Sequence, residues 1–485
     1  MTTARTWIGL VAALCSTWEL LGCSDARPPA RPVEPVRSAL VASPGAGIAN
    51  GQFFVTLTAT ARDGSGTPLP GRSAQFEVSG SGNSLSADST STDAAGNATV
   101  TLISTQAEGK EVRVSLDGVA VEQRASVLFL ERFPEHHRSV AAGGGFALAV
   151  RRDGTLWAWG DNRAGQLGDG TTETRLSPVQ VGSGFTSVVA GRTHVIALKA
   201  DGTLWAWGDN GWGQLGDGTS EPRRTPVQVG NGFASVAAGS SHSYALTPDG
   251  ALWAWGANPS GELGDGTTQS KAAPVPIGTG FTSVAAVPGG FSLAVRRDGT
   301  LWAWGSNRAG ELGDGTTETR LSPVQVGAGF VFAAAGSGHS LGIKTDGTMW
   351  SWGANFWGQL GDGTREERHL PVQIGTGYVF AAGGQETSYG IKADGTLWAW
   401  GSGWCVLGDG TTPDRLEPVE VGTGFVQVSA RPQNPVSIGC FGSCYAHAVA
   451  QKADGSFWVW GDNSSGQLGN GTTLPSALPL QVPLP

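Results

Sequence analysis

Residues 201–218 read DGTLWAWGDNGWGQLGDG, and this stretch decides the fold of the chain. Asp201 and Gly202 separate two apolar runs, and such a pair is a strong local signal for a β-hairpin because both residues tolerate a positive φ. The LWAW run at residues 204–207 has apolar side chains on both faces, which is typical of a strand that is covered on both sides. A glycine-rich loop follows, so the stretch predicts one hairpin of a larger sheet.

The same stretch occurs seven times between residue 136 and the end of the chain. Its tryptophan pairs are Trp157/Trp159, Trp205/Trp207, Trp253/Trp255, Trp302/Trp304, Trp350/Trp352, Trp398/Trp400 and Trp458/Trp460. Successive first tryptophans are separated by 48, 48, 49, 48, 48 and 60 residues, and each copy ends in a short strand of the Pro-Val-Gln-Val type. Strands this short do not bury a face alone, so the copies must stack around an axis. The repeat therefore predicts an all-β, seven-bladed β-propeller over residues 136–485.

The two ends of the repeat region predict how the ring closes. The first copy begins at Ser139 without a preceding Pro-Val-Gln-Val strand, and residues 479–483 read PLQVP. We therefore expect the C-terminal strand to complete the N-terminal blade, which would leave no free sheet edge at the junction.

Three features that recur among the copies resemble the regulator-of-chromosome-condensation repeat across residues 136–485. They are the GQLGDG run, the Trp-Gly-x-Asn step and the Ala-Gly-x-x-His strand entry, as at residues 238–242. Members of that family include nuclear guanine-nucleotide exchange factors and bacterial propellers that inhibit β-lactamases. The resemblance implies that the propeller works through a protein-binding face.

Residues 41–132 differ from the repeats in composition and pattern. Short alternating runs occur at residues 53–61, 75–78, 98–102, 112–116 and 125–129, separated by turn clusters such as DGSG at 63–66. Several short strands at regular spacing predict a β-sandwich ahead of the propeller. TDAAGNA at 92–98 and PGR at 70–72 resemble the bacterial immunoglobulin-like domains of the intimin and invasin type, which implies a spacer or adhesive role at the cell surface.

The first forty residues predict export and lipid attachment. Residues 7–21 form an apolar run behind Arg5, too short to cross a bilayer and typical of a signal peptide covering residues 1–22. The LLGC motif ending at Cys23 resembles a bacterial lipobox, which implies that Cys23 is acylated; an ordinary signal peptide is the alternative. Residues 23–40 are rich in proline and predict an extended tether. We expect an outer-membrane or cell-surface lipoprotein that touches the membrane only through its lipid.

Composition argues against a nucleic-acid partner. The net charge is −9, and only 15% of the residues are charged, so the chain has no overall basic surface with which to displace counterions from phosphates. The 76 glycines and 19 tryptophans fit short strands joined by tight turns.

No residue stands out as catalytic. His194, His242, His339 and His447 share one register, which Phe146, Phe291 and Thr387 fill in the other copies. A catalytic side chain would occur once, so this register predicts satisfied histidines packed in the core. The acidic GDGT runs lack the alternating oxygen ligands of calcium loops and predict turns. We expect no cofactor, no metal and no enzymatic activity.

The remaining cysteines predict a disulfide. An exported location permits a bridge among Cys405, Cys440 and Cys444, either between neighbouring blades or within the insertion that precedes the last copy. One thiol would then stay free. The alternative is a zinc site formed by the three cysteines and His447, but His447 occupies the packing register.

The candidate binding residues lie where the copies differ from one another. The two residues after each Trp-Gly-x-Asn step vary, and in a closed ring these pairs share one rim. Because tryptophan and arginine are enriched at binding hot spots, the candidates for partner binding are Arg163, Trp212, Arg308, Phe356, Trp357 and Trp404. The alternative is that the large aromatic side chains pack on the next blade.

Together these features predict a monomeric, non-enzymatic module that presents the propeller rim to a protein partner at the cell surface. Guanine-nucleotide exchange is one alternative, suggested by the family resemblance and opposed by the signal sequence. Inhibition of a secreted or periplasmic enzyme is another, and it would use the same rim.

Overall fold

The computed structural model describes residues 31–43, 46–48, 54–106, 109–130, 139–286, 289–404, 407–432 and 446–484. The described residues form β-strands and no helix. Within them, no helix is long and apolar enough to cross a membrane. The predicted signal peptide and the cysteines Cys23, Cys405, Cys440 and Cys444 lie outside the described residues.

An immunoglobulin-like sandwich of two sheets precedes the propeller, as the sequence predicts. The first sheet has the strand order Ala39–Ser43, Phe54–Thr60, Asn97–Ser104, Asn83–Leu85. The second has the order Ala46–Ile48, Ala125–Leu130, Gly109–Leu116, Ser73–Val78, Ser89–Ser91, with Val119–Ala120 paired to Gly109–Leu116. Strict alternation of buried and exposed residues, as in Gly109–Leu116, fills the space between the sheets with small and branched apolar side chains.

The predicted tether is shorter than expected. Val33 is buried in the sandwich core, and Ala39–Ser43 pairs antiparallel with Phe54–Thr60. Burial of apolar side chains such as Val33 in the sandwich stabilises the folded chain, whereas an extended tether would leave these side chains exposed to water. Residues 31–40 therefore belong to the sandwich, and the rest of the predicted tether, residues 23–30, lies outside the described residues.

The propeller has seven blades, which confirms the predicted fold. Each blade is a four-stranded antiparallel sheet, and each sheet is one uninterrupted stretch of chain that runs from an inner strand to an outer strand. From blade one to blade seven the strands are Val140–Ala142, Phe146–Val150, Leu156–Gly160, Arg175–Gly182; Phe185–Ala190, His194–Lys199, Leu204–Gly208, Arg223–Gly230; Ser235–Ala238, His242–Leu246, Leu252–Gly256, Lys271–Gly278; Phe281–Ala286, Phe291–Arg296, Leu301–Gly305, Arg320–Gly327; Phe330–Ala335, His339–Lys344, Met349–Gly353, Arg368–Gly375; Tyr378–Gly383, Thr387–Lys392, Leu397–Gly401, Arg415–Gly422; and Phe425–Pro432, Ala446–Lys452, Phe457–Gly461, Ser476–Gln481.

The second tryptophan of a blade joins it to the preceding blade. Trp207 Nε1 in blade two donates to Gln166 O in blade one over 3.0 Å. Gly168 packs on the same indole so closely that a Cβ would lie 2.7 Å from Nε1, so only glycine fits there. Equivalent bonds are donated by Trp159, Trp255, Trp304, Trp352 and Trp400. These bonds fix the spacing between blades and thereby position the loops on the rim.

The ring closes differently from the prediction. Ser476–Gln481 pairs with Phe457–Gly461 inside blade seven, and blade one has its own outer strand, Arg175–Gly182. The expectation that the C-terminal strand completes the N-terminal blade is therefore wrong, because every repeat unit already carries its own inner and outer strands. Blades one and seven meet side by side, and Trp159 Nε1 donates to Gln467 O over 2.8 Å, as at the other junctions.

Polar side chains of blade seven complete this junction, which we call the seam. Gln427 Oε1 accepts hydrogen bonds from Ser139 N over 3.0 Å and from Ser139 Oγ over 2.8 Å. Ser429 Oγ accepts from Ala142 N over 3.1 Å. Buried backbone N–H groups need partners, and these side chains supply them to the inner strand with which the ring begins.

Candidate binding surface

The centre of the propeller is too narrow to be a binding site for a protein. The seven inner strands enclose a cavity of about 90 Å³, lined mainly by alanine and valine. Arg431 of blade seven reaches across it and donates to the carbonyl oxygens of Ala190 and Ala238 in blades two and three. Burial lowers the pKa of this guanidinium to about 10, so it is still protonated near neutrality. A channel of this size has no room for a folded partner, so any protein must bind to the outer surface.

A buried asparagine holds the loop between the third and outer strand of a blade, which we call the rim loop. Asn355 Oδ1 accepts from Leu360 N over 3.0 Å, and its Nδ2 donates to Asp362 Oδ1, Thr364 O and Glu366 O over 3.1, 3.1 and 3.0 Å. The same leucine N–H bond is accepted by Asn162, Asn210, Asn258, Asn307 and Asn463. The backbone of the rim loop is thus fixed, and the two residues that follow the asparagine are free to differ.

The rim loop of blade six departs from this pattern. Gly403 takes the position of the asparagine, and its N–H donates to Asp414 Oδ1 over 3.2 Å. A Cβ at this position would lie 2.0 Å from Pro413 O, so the loop requires glycine here. The change places Trp404 directly after a glycine that is held by an acidic side chain.

The structure brings together three of the six predicted binding residues. Phe356 and Trp357 on blade five and Trp404 on blade six lie on neighbouring rim loops, and we call these three side chains the aromatic patch. Phe356 is 70% exposed, Trp404 is 39% exposed, and Trp357 is half-buried. The Phe356 and Trp357 rings stand nearly perpendicular, at 84°, with their centroids 5.0 Å apart.

The other three predicted residues are separate. Trp212 is 55% exposed on the rim loop of blade two. Arg163 on blade one is exposed and pairs with Asp161 over 2.9 Å, and Arg308 on blade four is exposed. Neither the exposure of Trp212 nor that of Phe356 fits the alternative in which these rings pack on the next blade, while Trp357 is half-buried.

An arginine connects the two rim loops of the patch. Arg365 Nη1 donates to Phe356 O over 2.6 Å, and its Nη2 pairs with Asp414 Oδ2 over 2.9 Å. Because Asp414 also accepts the Gly403 N–H, a continuous chain of hydrogen bonds runs from Phe356 to the residue beside Trp404. These contacts hold the two loops in one arrangement.

Glu386 was not among the predicted binding residues. It lies at the turn before the second strand of blade six, where its backbone oxygen accepts the N–H of Ser402 in the rim loop over 2.8 Å. Burial raises the pKa of the Glu386 carboxyl, a hydrogen bond from the Trp357 side chain lowers it, and the nearby Asp414 charge raises it; the net change is upward. The same register holds Gly145, Thr193, Ser241, Gly290, Gly338 and Ala446 in the other blades. A single charged side chain in a register of small neutral residues is the sequence signal that could have identified Glu386 as a candidate binding residue.

The histidine register is a packing register, as predicted. His194, His242, His339 and His447 are buried, and burial lowers their pKa values to about 3, 3, 4 and 4. His339 Nε2 lies 2.8 Å from Ser388 Oγ of the next blade. Among the described residues, Nδ1 of His339 has no hydrogen-bond partner, and neither has Nδ1 of His194 or His447.

The acidic GDGT runs form turns. Asp362 Oδ1 accepts from Thr364 N over 3.0 Å and from Thr364 Oγ1 over 2.7 Å, and Asp362 Oδ2 pairs with Arg368. Within the described part of the chain, no group of three histidine, cysteine or acidic side chains could hold a metal ion.

Comparison with known proteins identifies both parts of the chain. The profile of the RCC1-like domain matches residues 231–484, and regulator of chromosome condensation (RCC1) repeats match residues 153–198 and 201–246. The profile of the bacterial Ig-like domain (group 1) matches residues 37–130. No curated protein sequence matches the chain.

Solved structures show the same fold. Yeast RCC1 (Prp20), solved with Kap60 bound, is 20% identical, with a TM-score of 0.60 over 70% of this chain and 85% of that chain. Prp20p from Saccharomyces cerevisiae, described with its binding properties to Gsp1p and histones, is 20% identical, with a TM-score of 0.60 over 72% of this chain and 88% of that one. Human WBSCR16 is 21% identical, with a TM-score of 0.59 over 69% of this chain and 95% of that chain.

The RCC1-like profile alone spans more than half of the chain, and the RCC1 repeats extend the match towards the first blades. The chain therefore belongs to the RCC1-like domain family and carries a bacterial Ig-like domain of group 1 ahead of its propeller.

Proposed function

We propose that the protein is a non-enzymatic module that binds a protein partner on the rim loops of blades five and six. The observation that carries this proposal is the aromatic patch, in which two large rings remain exposed beside a third on a rigid support. Exposed aromatic groups on a monomer mark interaction sites, and tryptophan is strongly enriched among residues that dominate binding energy.

The construction of the rim loops supports this proposal. The buried asparagine of blade five and the Arg365–Asp414 ion pair fix the loop backbones before any partner arrives. A surface that is already ordered loses little conformational entropy on binding, so more of its contact energy becomes affinity. Partner binding by yeast Prp20, solved with Kap60 bound, is consistent with a protein as the occupant.

The proposed setting is the cell envelope. The apolar run at residues 7–21 and the LLGC motif at Cys23 support export followed by lipid attachment. The Ig-like domain would then act as a spacer between the membrane and the propeller. Radiolabelled palmitate incorporated by the wild type and absent from Cys23→Ser would support the anchor, and equal labelling of both would contradict it.

Selection of displayed random peptides on the full chain tests the proposed surface. Peptides that bind the wild type should bind the double variant Phe356→Ala, Trp404→Ala more weakly by a factor on the order of 30 or more, because hot-spot truncation costs about 2 kcal/mol or more. Trp212→Ala is the matched control, since it removes an exposed tryptophan from the equivalent loop of blade two. Loss of binding in the control but not in the double variant would refute the blade-five and blade-six surface.

Exchange-factor activity is the second candidate, favoured by membership of the RCC1-like domain family. A nucleotide-release assay with purified GTPases distinguishes it from simple binding. Accelerated release of bound nucleotide by the full chain would replace our proposal, whereas unchanged release supports it.

A further inference from the structure

We propose that the rim loops of blades five and six recognise a cationic side chain, lysine or arginine, presented by the protein partner. This inference rests on the proposed function and specifies the chemistry of its occupant. It is carried by the juxtaposition of the aromatic patch with the carboxylate of Glu386.

The aromatic side chains provide the walls of the site. With their centroids 5.0 Å apart at 84°, the rings of Phe356 and Trp357 present surfaces in two directions, and Trp404 stands on the adjoining loop. The face of an aromatic ring attracts a cation within about 6 Å of its centroid, and tryptophan does so best. A side chain with an apolar stem and a charged end fits such walls along its whole length.

Glu386 provides the charge. Its side chain is half-buried, and its backbone oxygen, which accepts the N–H of Ser402 over 2.8 Å, holds it against the rim loop of blade six. The Trp357 side chain lies close enough to lower the pKa of the Glu386 carboxyl by hydrogen bonding, and no salt bridge joins this carboxyl to any of the described residues. The guanidinium of Arg365, which connects the two rim loops, is already paired with Asp414 over 2.9 Å. Placing a carboxylate in a partly dry site without a cation is unfavourable, and a partner's ammonium or guanidinium would offset that cost.

The site is specific to blade six and acidic overall. Glu386 is the one charged residue in a register that is otherwise glycine, alanine, serine or threonine. Glu386, Asp414 and Arg365 together leave one negative charge at the site, and the whole chain carries −9. The negative charge of the site and the net negative charge of the chain attract a basic segment and repel an acidic one. They therefore raise the rate of encounter with a cationic partner.

The test uses the peptides selected on the full chain. We expect lysine or arginine to be enriched in the selected sequences relative to the unselected library. A synthetic copy of the strongest binder in which norleucine replaces the lysine, or the arginine, should bind about tenfold more weakly. Glu386→Gln, which keeps an oxygen that can accept a hydrogen bond from Trp357, should reduce this tenfold difference to the part that the aromatic rings supply and leave the affinity for the norleucine peptide unchanged.

Glu366→Gln is the matched control, because it removes the same charge from an exposed position on the rim loop of blade five. It should preserve the discrimination between the two peptides. If Glu386→Gln unfolds at the same midpoint temperature as the wild type, the variant is folded. If its midpoint is shifted, Glu386→Asp is tested instead. That variant keeps the charge and should keep part of the discrimination between the two peptides.

The outcomes separate the two proposals. Selected peptides without lysine or arginine, or equal discrimination by wild type and Glu386→Gln, would overturn the cation site, while sensitivity to Phe356→Ala would leave the binding surface intact. Peptides that bind independently of both Phe356 and Trp404 would overturn the surface itself. Failure to select any peptide would count against both.

Discussion

His339 lies between blades five and six, with its ring buried. Ser388 Oγ donates to Gln359 O over 2.7 Å, so in the 2.8 Å contact between Ser388 and His339 the imidazole Nε2 is the donor. Burial lowers the pKa of His339 to about 4, and burial together with the Arg431 charge lowers that of His194 to about 3. The rings are therefore neutral at pH 7, and protonating them would put an unpaired charge between blades.

We expect stability to fall as the pH drops below about 6.5. The unfolded chain binds protons at the ordinary histidine pKa of 6.5, whereas folded His339 stays neutral down to about 4. Each such histidine then lowers the free energy of unfolding by up to about 1.4 kcal/mol per pH unit in that window. His339→Phe should flatten this decline, since blade four holds Phe291 in the same register. Denaturant unfolding between about pH 6.5 and about pH 4.5 measures the slope.

Exposed His369 is the control for this experiment. Its replacement by glutamine removes a histidine from the exposed surface and leaves every buried ring in place, so the decline that the buried rings cause should remain. Identical slopes for wild type and His339→Phe would show that the buried ring does not resist protonation.

At the scale of one strand, the third strand of a blade inserts its second tryptophan into a socket made by the preceding rim loop. The carbonyl of Gln214 accepts two bonds from blade three, one from Trp255 Nε1 over 2.9 Å and one from Ser243 Oγ over 2.8 Å. Gly216 lies against the same indole, and a Cβ there would approach Nε1 to 2.7 Å. Shape and hydrogen bonding thus fix the same side chain.

Trp255→Phe should lower the free energy of unfolding by about 2 to 3 kcal/mol. The smaller ring leaves a void in a closely packed socket, and the Gln214 carbonyl loses one of its two donors. Trp253→Phe is the matched control in the same strand, and its half-buried side chain should cost about 1 kcal/mol or less. Equal losses from both variants, measured by denaturant unfolding, would contradict the socket.

Local signals in the sequence predicted the strands and turns of each copy, but they did not predict the contacts between copies. The Asp-Gly turns and LWAW strands follow from neighbouring residues, and their period forces stacked blades. A closed ring of repeats has no intrinsic first strand, so the sequence left the boundary of the unit open, and the predicted closure at residues 479–483 was wrong. Glu386 and Trp357 meet across a blade junction, and only an alignment of all seven units singles out Glu386.

At the scale of the molecule, the ring depends on its seam. The strand that begins the propeller has no covalent continuation towards blade seven, so the fit of the two blades must come from side chains. Gln427 and Ser429 supply it by accepting hydrogen bonds from the backbone of Ser139 and Ala142. In blade four the same inner-strand positions hold Ser283 and Ala285.

The double variant Gln427→Ala, Ser429→Ala should lower the free energy of unfolding by about 2 to 4 kcal/mol, because two backbone N–H groups lose their partners. Hydrogen exchange at residues 139–142 should accelerate, while exchange in the Phe281–Ala286 strand stays slow. Ser283→Ala is the control and should leave both regions as they are. Uniform acceleration throughout the ring would show that the seam is no weaker than any other junction.

Because one unbroken stretch of chain encodes a complete sheet, duplication of the corresponding gene segment copies a finished blade. No parental sheet is cut by such an event, and the new copy brings both its own indole and the recess that receives the next one. Propellers that arise in this way change their circumference by one whole blade at a time, and every added copy inherits a stable scaffold. The two residues that follow its Trp-Gly-x-Asn step are then free to diverge, and they differ between blades two and three.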